Sequence, residues 1–343
     1  MDDSFQQGLR LDVTVSVCMS ASPLVSLDDV RRAREVIAGR VHRTPLFSAT
    51  LLGRQTGTRL FLKAENLQKT GSFKPRGVFN KLHSLTSEEK RRGLITISAG
   101  NHAQALAYAA AVEGLRCVVV MPESANPTKV AASRGYGAEV VLHGSVHEAL
   151  EKMHELRESR GLTLVHPYND PFMIAGQGTV GLEILEDLPD VDVVVVPVGG
   201  GGLISGIAAA VKRARPSTRV IGVEPEGAPT VTDALRAGRP VPLERVATIA
   251  DGLTAPIAGD QTLAHVRALV DEVVLVSDEE IAEGVRAVLQ YAKLLAEPAG
   301  AAGIAALLAR RVAVPADARV AAVVSGGNAD LARLQQVLSR VSL

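Results

Sequence analysis

The sequence predicts an α/β fold in two domains, resting on parallel sheets. Its 343 residues exceed what one hydrophobic core usually organises. Hydrophobic residues make up 47% of the chain but aromatics only 3%, so packing must rest on Ala, Val, Leu and Ile, as in Val-rich buried strands under Ala-rich helices. Short Val-rich runs also alternate with longer Ala-rich stretches, the pattern of parallel strands joined by helical crossovers.

The elements follow in order. "SLDDVRRAREVIAGR" offers a Ser cap, an acidic first turn and apolar spacing at Val30, Ala33, Val36 and Ile37, which predicts a helix. "RLFLKAEN" reads as a strand and "TGSFKPRGVFNKLHSL" as a Gly-punctuated loop entering a helix. Strand and helix then alternate through "GLITISAG" and "NHAQALAYAAAVEG", "RCVVVMPE" and "PTKVAASRGYG", "AEVVLHG" and "VHEALEKMHELRESRG". "TLVHPYND" is a further strand, "GQGTVGLEILEDL" a helix, and "DVVVVPVGGGGLISGIAAAVKRA" a buried strand, a glycine turn and a helix, followed by the strand "RVIGVEPE". Gly227 to Leu269, rich in Pro, Gly and Ala, is expected to be irregular structure around a site. "EVVLVSDEEIAEGVRAVLQYAKLLAEPAGAAGIAALLA" and the strand "VAAVVSGGN" resume the pattern. No repeat at solenoid spacing is present, and only 15 residues follow Asn328, too few for a downstream domain.

Lys plus Arg and Asp plus Glu are both 37, so no general field gathers nucleic acid or an anionic membrane, and a small-molecule partner is expected. Cys18 and Cys117 lie too far apart in the sequence to suggest a disulfide framework, which fits a reducing cytosol. The apolar patch Val13 to Met19 follows Asp2, Asp3 and Asp12 where a secretory signal would carry positive charge. Residues 1 to 24 read as a flexible tail, with Met19 as an alternative start.

Four consecutive glycines, Gly199 to Gly202, stand between a Val-rich strand and a helix, where backbone N–H groups and the helix dipole converge on an anion such as phosphate. The run lacks the Lys and Ser/Thr of a nucleotide P-loop and the spacing of a dinucleotide fingerprint. Lys74 lies beside Phe73, is held by Pro75 and has Arg76 nearby. An amine desolvated next to positive charge has a lowered pKa and becomes a nucleophile toward a carbonyl. His143, His147 and His154 imitate zinc-ligand spacing, but Gly144 and Ser145 interrupt the helix, so a solvated face is the expectation there.

"KAENLQKTGSFKPRG", "SAGNHAQALAYAA", "IAGQGTVGLEI", "PVGGGGLISGI", "AEPAGA" and "SGGN" occur in that order. Together they resemble the threonine/serine dehydratases among the fold-type II, tryptophan-synthase-β-like pyridoxal phosphate enzymes, over about Ser26 to Asp330. Serine racemases share this framework. The resemblance implies two open, twisted, parallel-type sheets with flanking helices. It divides the chain into a large domain of residues 25–92 and 169–343 and a small domain of 93–168, closing over a cleft.

By the same resemblance, Lys74 forms a Schiff base with pyridoxal 5'-phosphate and moves the α-proton. Phe73 supports the ring, Asn101 bonds its phenolic oxygen, Gly199, Gly200, Gly201, Gly202 and Leu203 hold the phosphate, and Ser325 faces the pyridine nitrogen. A neutral hydroxyl there does not keep that nitrogen protonated, which favours prompt loss of a β-leaving group over a long-lived carbanion. Ser98, Ala99, Gly100, Asn101 and His102, at a helix start, would take the substrate carboxylate, with Gly252 nearby. His166, Tyr168 and Asp170 are also expected near the substrate. Ala99 departs from serine racemases, where a second serine acts as base on the opposite face, so elimination from L-threonine or L-serine is expected ahead of racemisation.

The alternatives are a serine or aspartate racemase, a dehydratase of 3-hydroxyaspartate or phenylserine, and, in a different class, a nicotinamide-dependent oxidoreductase. Glu224 and Ala228 match a divalent-cation site suited to Mg or Ca, with Thr230 where a second carboxylate would help, and the bland alternative is a Glu in a salt bridge. Lys69, Thr70, Gln104, Tyr136, Lys293 and Asn328 match a nucleotide-effector site in some relatives. The short form without a regulatory domain implies a catabolic type, and relatives imply a homodimer or homotetramer.

Overall fold

The computed structural model describes residues 24–340. The expected tail of residues 1 to 24, with the Val13 to Met19 patch and Cys18, lies outside the described residues apart from its last position.

α1 (Leu27–Ile37), β1 (Leu46–Ser48), α2 (Thr50–Thr56), β2 (Arg59–Ala64), α3 (Lys74–Ser84) and α4 (Ser87–Arg92) come first. The next group is β3 (Leu94–Ile97), α5 (Asn101–Val112), β4 (Cys117–Met121), α6 (Pro127–Gly135), β5 (Glu139–Leu142), α7 (Val146–Arg160) and β6 (Thr163–Leu164). Its strands form a four-stranded parallel sheet in the order β5-β4-β3-β6. α8 (Pro171–Asp187), β7 (Val193–Pro197), α9 (Gly202–Ala214), β8 (Arg219–Pro225), α10 (Thr230–Ala237) and α11 (Asp260–Leu269) lead into β9 (Glu272–Val276), α12 (Asp278–Ala287), α13 (Pro298–Leu308), β10 (Arg319–Val324) and α14 (Leu331–Leu338). These strands join the first two in a six-stranded sheet, β1-β2-β10-β7-β8-β9, parallel except for β1.

The six-stranded sheet is buried on both faces, and strand alternation divides its residues between two cores. Val193, Val195, Val320, Ala322 and Val324 pack with α12 and α13, whereas Val194, Val196, Ala321 and Val323 pack with α9 and α11. Ala-rich α13 is buried along almost its whole length, as the shortage of aromatics requires. Every strand expected from the sequence is present, and the two open, mostly parallel sheets with flanking helices match the expected architecture.

Three expectations are corrected. Gly227 to Leu269 is not irregular throughout, since α10 and α11 lie in it. Buried Val231 and Ala234 anchor α10, the Glu224 carboxylate receives its first amides, and Gly238 ends it in the left-handed region at φ 74°. The strand in "TLVHPYND" is only Thr163–Leu164, because the chain leaves the ladder before Pro167, which has no N–H to donate. The helix of "GQGTVGLEILEDL" begins earlier, at Pro171, with Asp170 accepting from the amides of Phe172 and Met173.

Candidate active site

Lys74 stands at the first position of α3, and Pro75 behind it presets the helical turn. Its Nζ donates to the Pro167 carbonyl at 2.9 Å and lies 5.2 Å from the centre of the Phe73 ring. Burial pulls the amine down from its ordinary value to about 8. Arg76 does not contribute as expected. Residues two apart on a helix point in different directions, and the Arg76 guanidinium turns inward to Glu65, Glu183 and Thr179. The lowering at Lys74 therefore comes from desolvation.

His102 and His166 lie close enough to Lys74 to be held neutral. Burial pushes both rings down, His166 to about 4, and the Lys74 charge adds to it. His166 Nδ1 accepts from the amide of Asn169, so Nε2 carries its proton. His102 Nε2 faces the Val165 carbonyl at 3.1 Å, and its buried Nδ1 has no partner.

The glycine turn closes the other side. Gly201 adopts φ 86° and precedes α9, which has no side-chain cap. Gly200 approaches Tyr168 so closely that a Cβ there would fall 2.5 Å from the ring, which is anchored through its hydroxyl on the Ile257 carbonyl. α5 likewise begins at Asn101 without a side-chain cap, beside the Ser98 to Gly100 loop. By contrast α1, α4, α7 and α12 have capping boxes from Ser26, Thr86, Ser145 and Ser277. The starts of α5 and α9 thus leave amide donors for anions, as a phosphate and a carboxylate would need.

Ser325 ends β10 beside this group. Its carbonyl accepts from the Phe73 amide at 3.2 Å, and Ser72 bridges Gly326, which joins the strand end to the Lys74 loop. Asn101 donates to Glu297 and accepts from Asn328, and Gly252 packs against the same pair. Lys74, Phe73, the glycine turn, Asn101, Ser325, Gly252 and the Ser98 to His102 loop are therefore linked by short contacts. An amine with a lowered pKa, amide cradles for anions and a hydroxyl at a strand end fit a ring that carries an aldehyde and a phosphate.

Other expected residues are engaged elsewhere. Asp170 caps α8 and pairs with Lys81 at 2.6 Å. Both Glu224 oxygens accept from the amides of Val231 and Thr232 and the Thr232 hydroxyl, with burial pushing the carboxyl up to about 7. Helix capping, and not a salt bridge, is its role in this fold. Asn328 donates to the Thr70 carbonyl, Lys69 reaches Tyr136 through the intervening Tyr108 ring, Gln104 is buried, and Lys293 donates to Gln290 in its own turn. His143 precedes the Ser145 cap of α7, so it does not share a helix face with His147.

A two-sheet α/β fold with a partly buried, desolvated lysine at a helix start and a glycine-lined start to a second helix defines a fold-type II pyridoxal phosphate enzyme. Residues 37–326 match the family described as "Pyridoxal-phosphate dependent enzyme", and the chain belongs to it. The chain is 46% identical to L-threonine ammonia-lyase of Thermotoga maritima over 318 residues, 92% of this chain and 79% of that one. Among solved structures, the threonine deaminase of T.th. is 44% identical with a TM-score of 0.84 over 89% of this chain and 99% of that one. Maize serine racemase is 38% identical with a TM-score of 0.87, covering 93% and 98%. The family match removes the nicotinamide-dependent alternative.

Proposed function

We propose that this enzyme removes water and then ammonia from a small β-hydroxyamino acid, L-threonine or L-serine, to leave a 2-oxo acid. The observation that carries this reading is the half-buried Lys74 amine, lowered to about 8 by desolvation and held on the Pro167 carbonyl. Bound pyridoxal phosphate supplies a sink for the electron pair left on the substrate's α-carbon. Lys74 would hold the cofactor through Nζ, and the same amine is the group placed to take the substrate's α-proton. The amides of Gly199 to Leu203 would hold the phosphate, Asn101 would donate to the ring's phenolic oxygen, Phe73 would support the ring and Ser325 would offer its nitrogen a neutral hydroxyl. The Ser98 to His102 amides orient the substrate carboxylate, and neutral His102 and His166 leave Lys74 the base of the cleft. Ala99 offers no proton-exchanging group for a second face.

The names of the threonine ammonia-lyase and threonine deaminase relatives support the substrate, and the racemase relatives keep serine or aspartate racemisation as the second reading. Elimination from 3-hydroxyaspartate or phenylserine would use the same groups. Mg or Ca at Glu224 and Ala228 would have to compete with the amides that Glu224 now accepts from. A nucleotide effector over Lys69, Thr70, Gln104, Tyr136, Lys293 and Asn328 draws support from the Lys69, Tyr108 and Tyr136 stack. A cytosolic homo-oligomer, whether dimer or tetramer, completes the reading, and the buried free thiol of Cys117 suits a reducing compartment.

Purified, cofactor-loaded enzyme should release 2-oxo acid and ammonia in equal amounts from L-threonine or L-serine, while residual substrate keeps its configuration. Racemised substrate without oxo acid would overturn the proposal. Gly200→Ala tests the phosphate cradle. The added methyl must displace the Tyr168 ring or shift the turn, at a cost of about 1–3 kcal/mol. The pyridoxal phosphate concentration giving half-maximal visible absorbance should accordingly rise by about 5- to 150-fold.

A further inference from the structure

Glu297, in the "AEPAGA" segment, precedes α13 but does not cap it with its side chain. It is 1% exposed, its Oε1 accepts from Asn101 Nδ2 at 2.5 Å, and its Oε2 has no hydrogen-bond partner. The nearest cation comes from the other lobe. Lys129 of α6, also buried, donates to Asp251 at 2.8 Å and places Nζ 3.9 Å from Glu297 Oε2. A second bond crosses nearby, from the Thr128 hydroxyl to Asp330 at 2.9 Å.

A backbone acceptor fixes the direction in which Asn101 faces. The Thr70 carbonyl, a backbone acceptor, receives Asn328 Nδ2 at 2.7 Å, which fixes the Asn328 amide. The same Nδ2 donates to Asn101 Oδ1 at 2.8 Å, so the Asn101 nitrogen must turn to Glu297. A carboxylate accepts only, and this holds the amide in place. One of its two N–H groups is then spent on Glu297, and the other remains for the cleft. Thr70 adopts φ 59°, uncommon for a β-branched residue, so the anchor of this chain is itself backbone under strain.

We propose that Glu297 is a positioning residue for Asn101, and that Lys129, reaching across the lobe boundary, supplies the positive charge that its unpartnered oxygen faces. Closure of the four-stranded lobe through Lys129 and Asp251 thereby sets which group Asn101 presents to the cofactor oxygen. Burial first and the Asp251 charge with it raise the Glu297 carboxyl, and Lys129 and the Asn101 hydrogen bond oppose that rise without cancelling it. Gly326 and Gly252 leave the room this needs: a Cβ on Gly326 would stand 2.3 Å from Glu297 Oε1 and one on Gly252 3.6 Å from it.

This inference rests on the Asn101 role proposed above, and the experiment separates the two. Cofactor-loaded wild type, Glu297→Gln, Glu297→Asp and Lys129→Met are compared by cofactor content trapped on Lys74 with borohydride, by visible absorption and by separate kcat and KM. All four should carry cofactor. Glu297→Gln should displace the absorption band and lower kcat about 10- to 100-fold, the scale of an ångström of misplacement, with KM within about threefold. Lys129→Met should displace the band the same way, a Glu297→Gln/Lys129→Met double variant made alongside should add little to either, and Glu297→Asp should restore part of the signal. Cofactor uptake with the wild-type band in Glu297→Gln or in Lys129→Met overturns this inference alone, and if Glu297→Gln does not fold, Lys129→Met decides. A wild type without trapped cofactor overturns the Lys74 reading and this one with it.

Discussion

Replacing Lys74 with Ala is expected to abolish the cofactor's protein-bound visible absorbance and to lower turnover by about 10⁴-fold or more, since one change removes both the covalent anchor and the general base. The loss should be confined to chemistry. Lys74 lies at the first turn of α3, and its Nζ makes one hydrogen bond, to Pro167. The variant should therefore fold with an unchanged circular dichroism spectrum. The lowered pKa gives a second signature. Only the unprotonated amine attacks an aldehyde, so uptake of pyridoxal phosphate by apoenzyme should accelerate as pH rises toward about 8 and level off above it. An ordinary lysine would still be gaining rate near its usual value of about 10.4. Turnover that survived Lys74→Ala would overturn the assignment.

Much of this site was legible in the sequence because its parts are local. The glycine turn declares itself through four adjacent residues between a Val run and an Ala-rich helix, and Lys74 through Phe73 and Pro75. What escaped is long-range or depends on side-chain direction. The helical spacing of Lys74 and Arg76 already implied that the two diverge, a signal that proximity in sequence obscured. α10 and α11 are short, and α10 begins on Glu224 rather than on a local cap, so no capping motif marks it. Glu297 stood inside a recognised segment, yet a Glu before Pro looks like a helix start, and only the fold brings Lys129 and Asn101 to it. Lys63, Glu65 and Glu183 fall in strand- and helix-like runs, and nothing local pairs Lys63 with a carboxylate more than a hundred positions on.

That pairing predicts the second large effect, on stability. Arg76 and Glu65 are fully buried, and Arg76 donates to both Glu65 oxygens at 2.8 Å and to the Glu183 oxygens at 2.6 and 2.9 Å. Lys63 completes the group through Glu183 at 2.6 Å and the Thr44 carbonyl at 2.7 Å. Two cations and two carboxylates balance, and the group ties β2, α3 and α8 together directly beneath the Lys74 turn. Arg76→Met leaves two buried carboxylates facing one ammonium, which should destabilise the protein by about 3–5 kcal/mol. Thermal melts of wild type and variant, with and without cofactor, would measure the loss. Adding Glu65→Gln removes the surplus negative charge, so the double variant should melt above Arg76→Met alone, a coupling that two independent surface pairs would not show. A loss below about 1 kcal/mol for Arg76→Met would mean that the carboxylates find other partners, because the desolvation of an unpaired buried charge admits no smaller penalty.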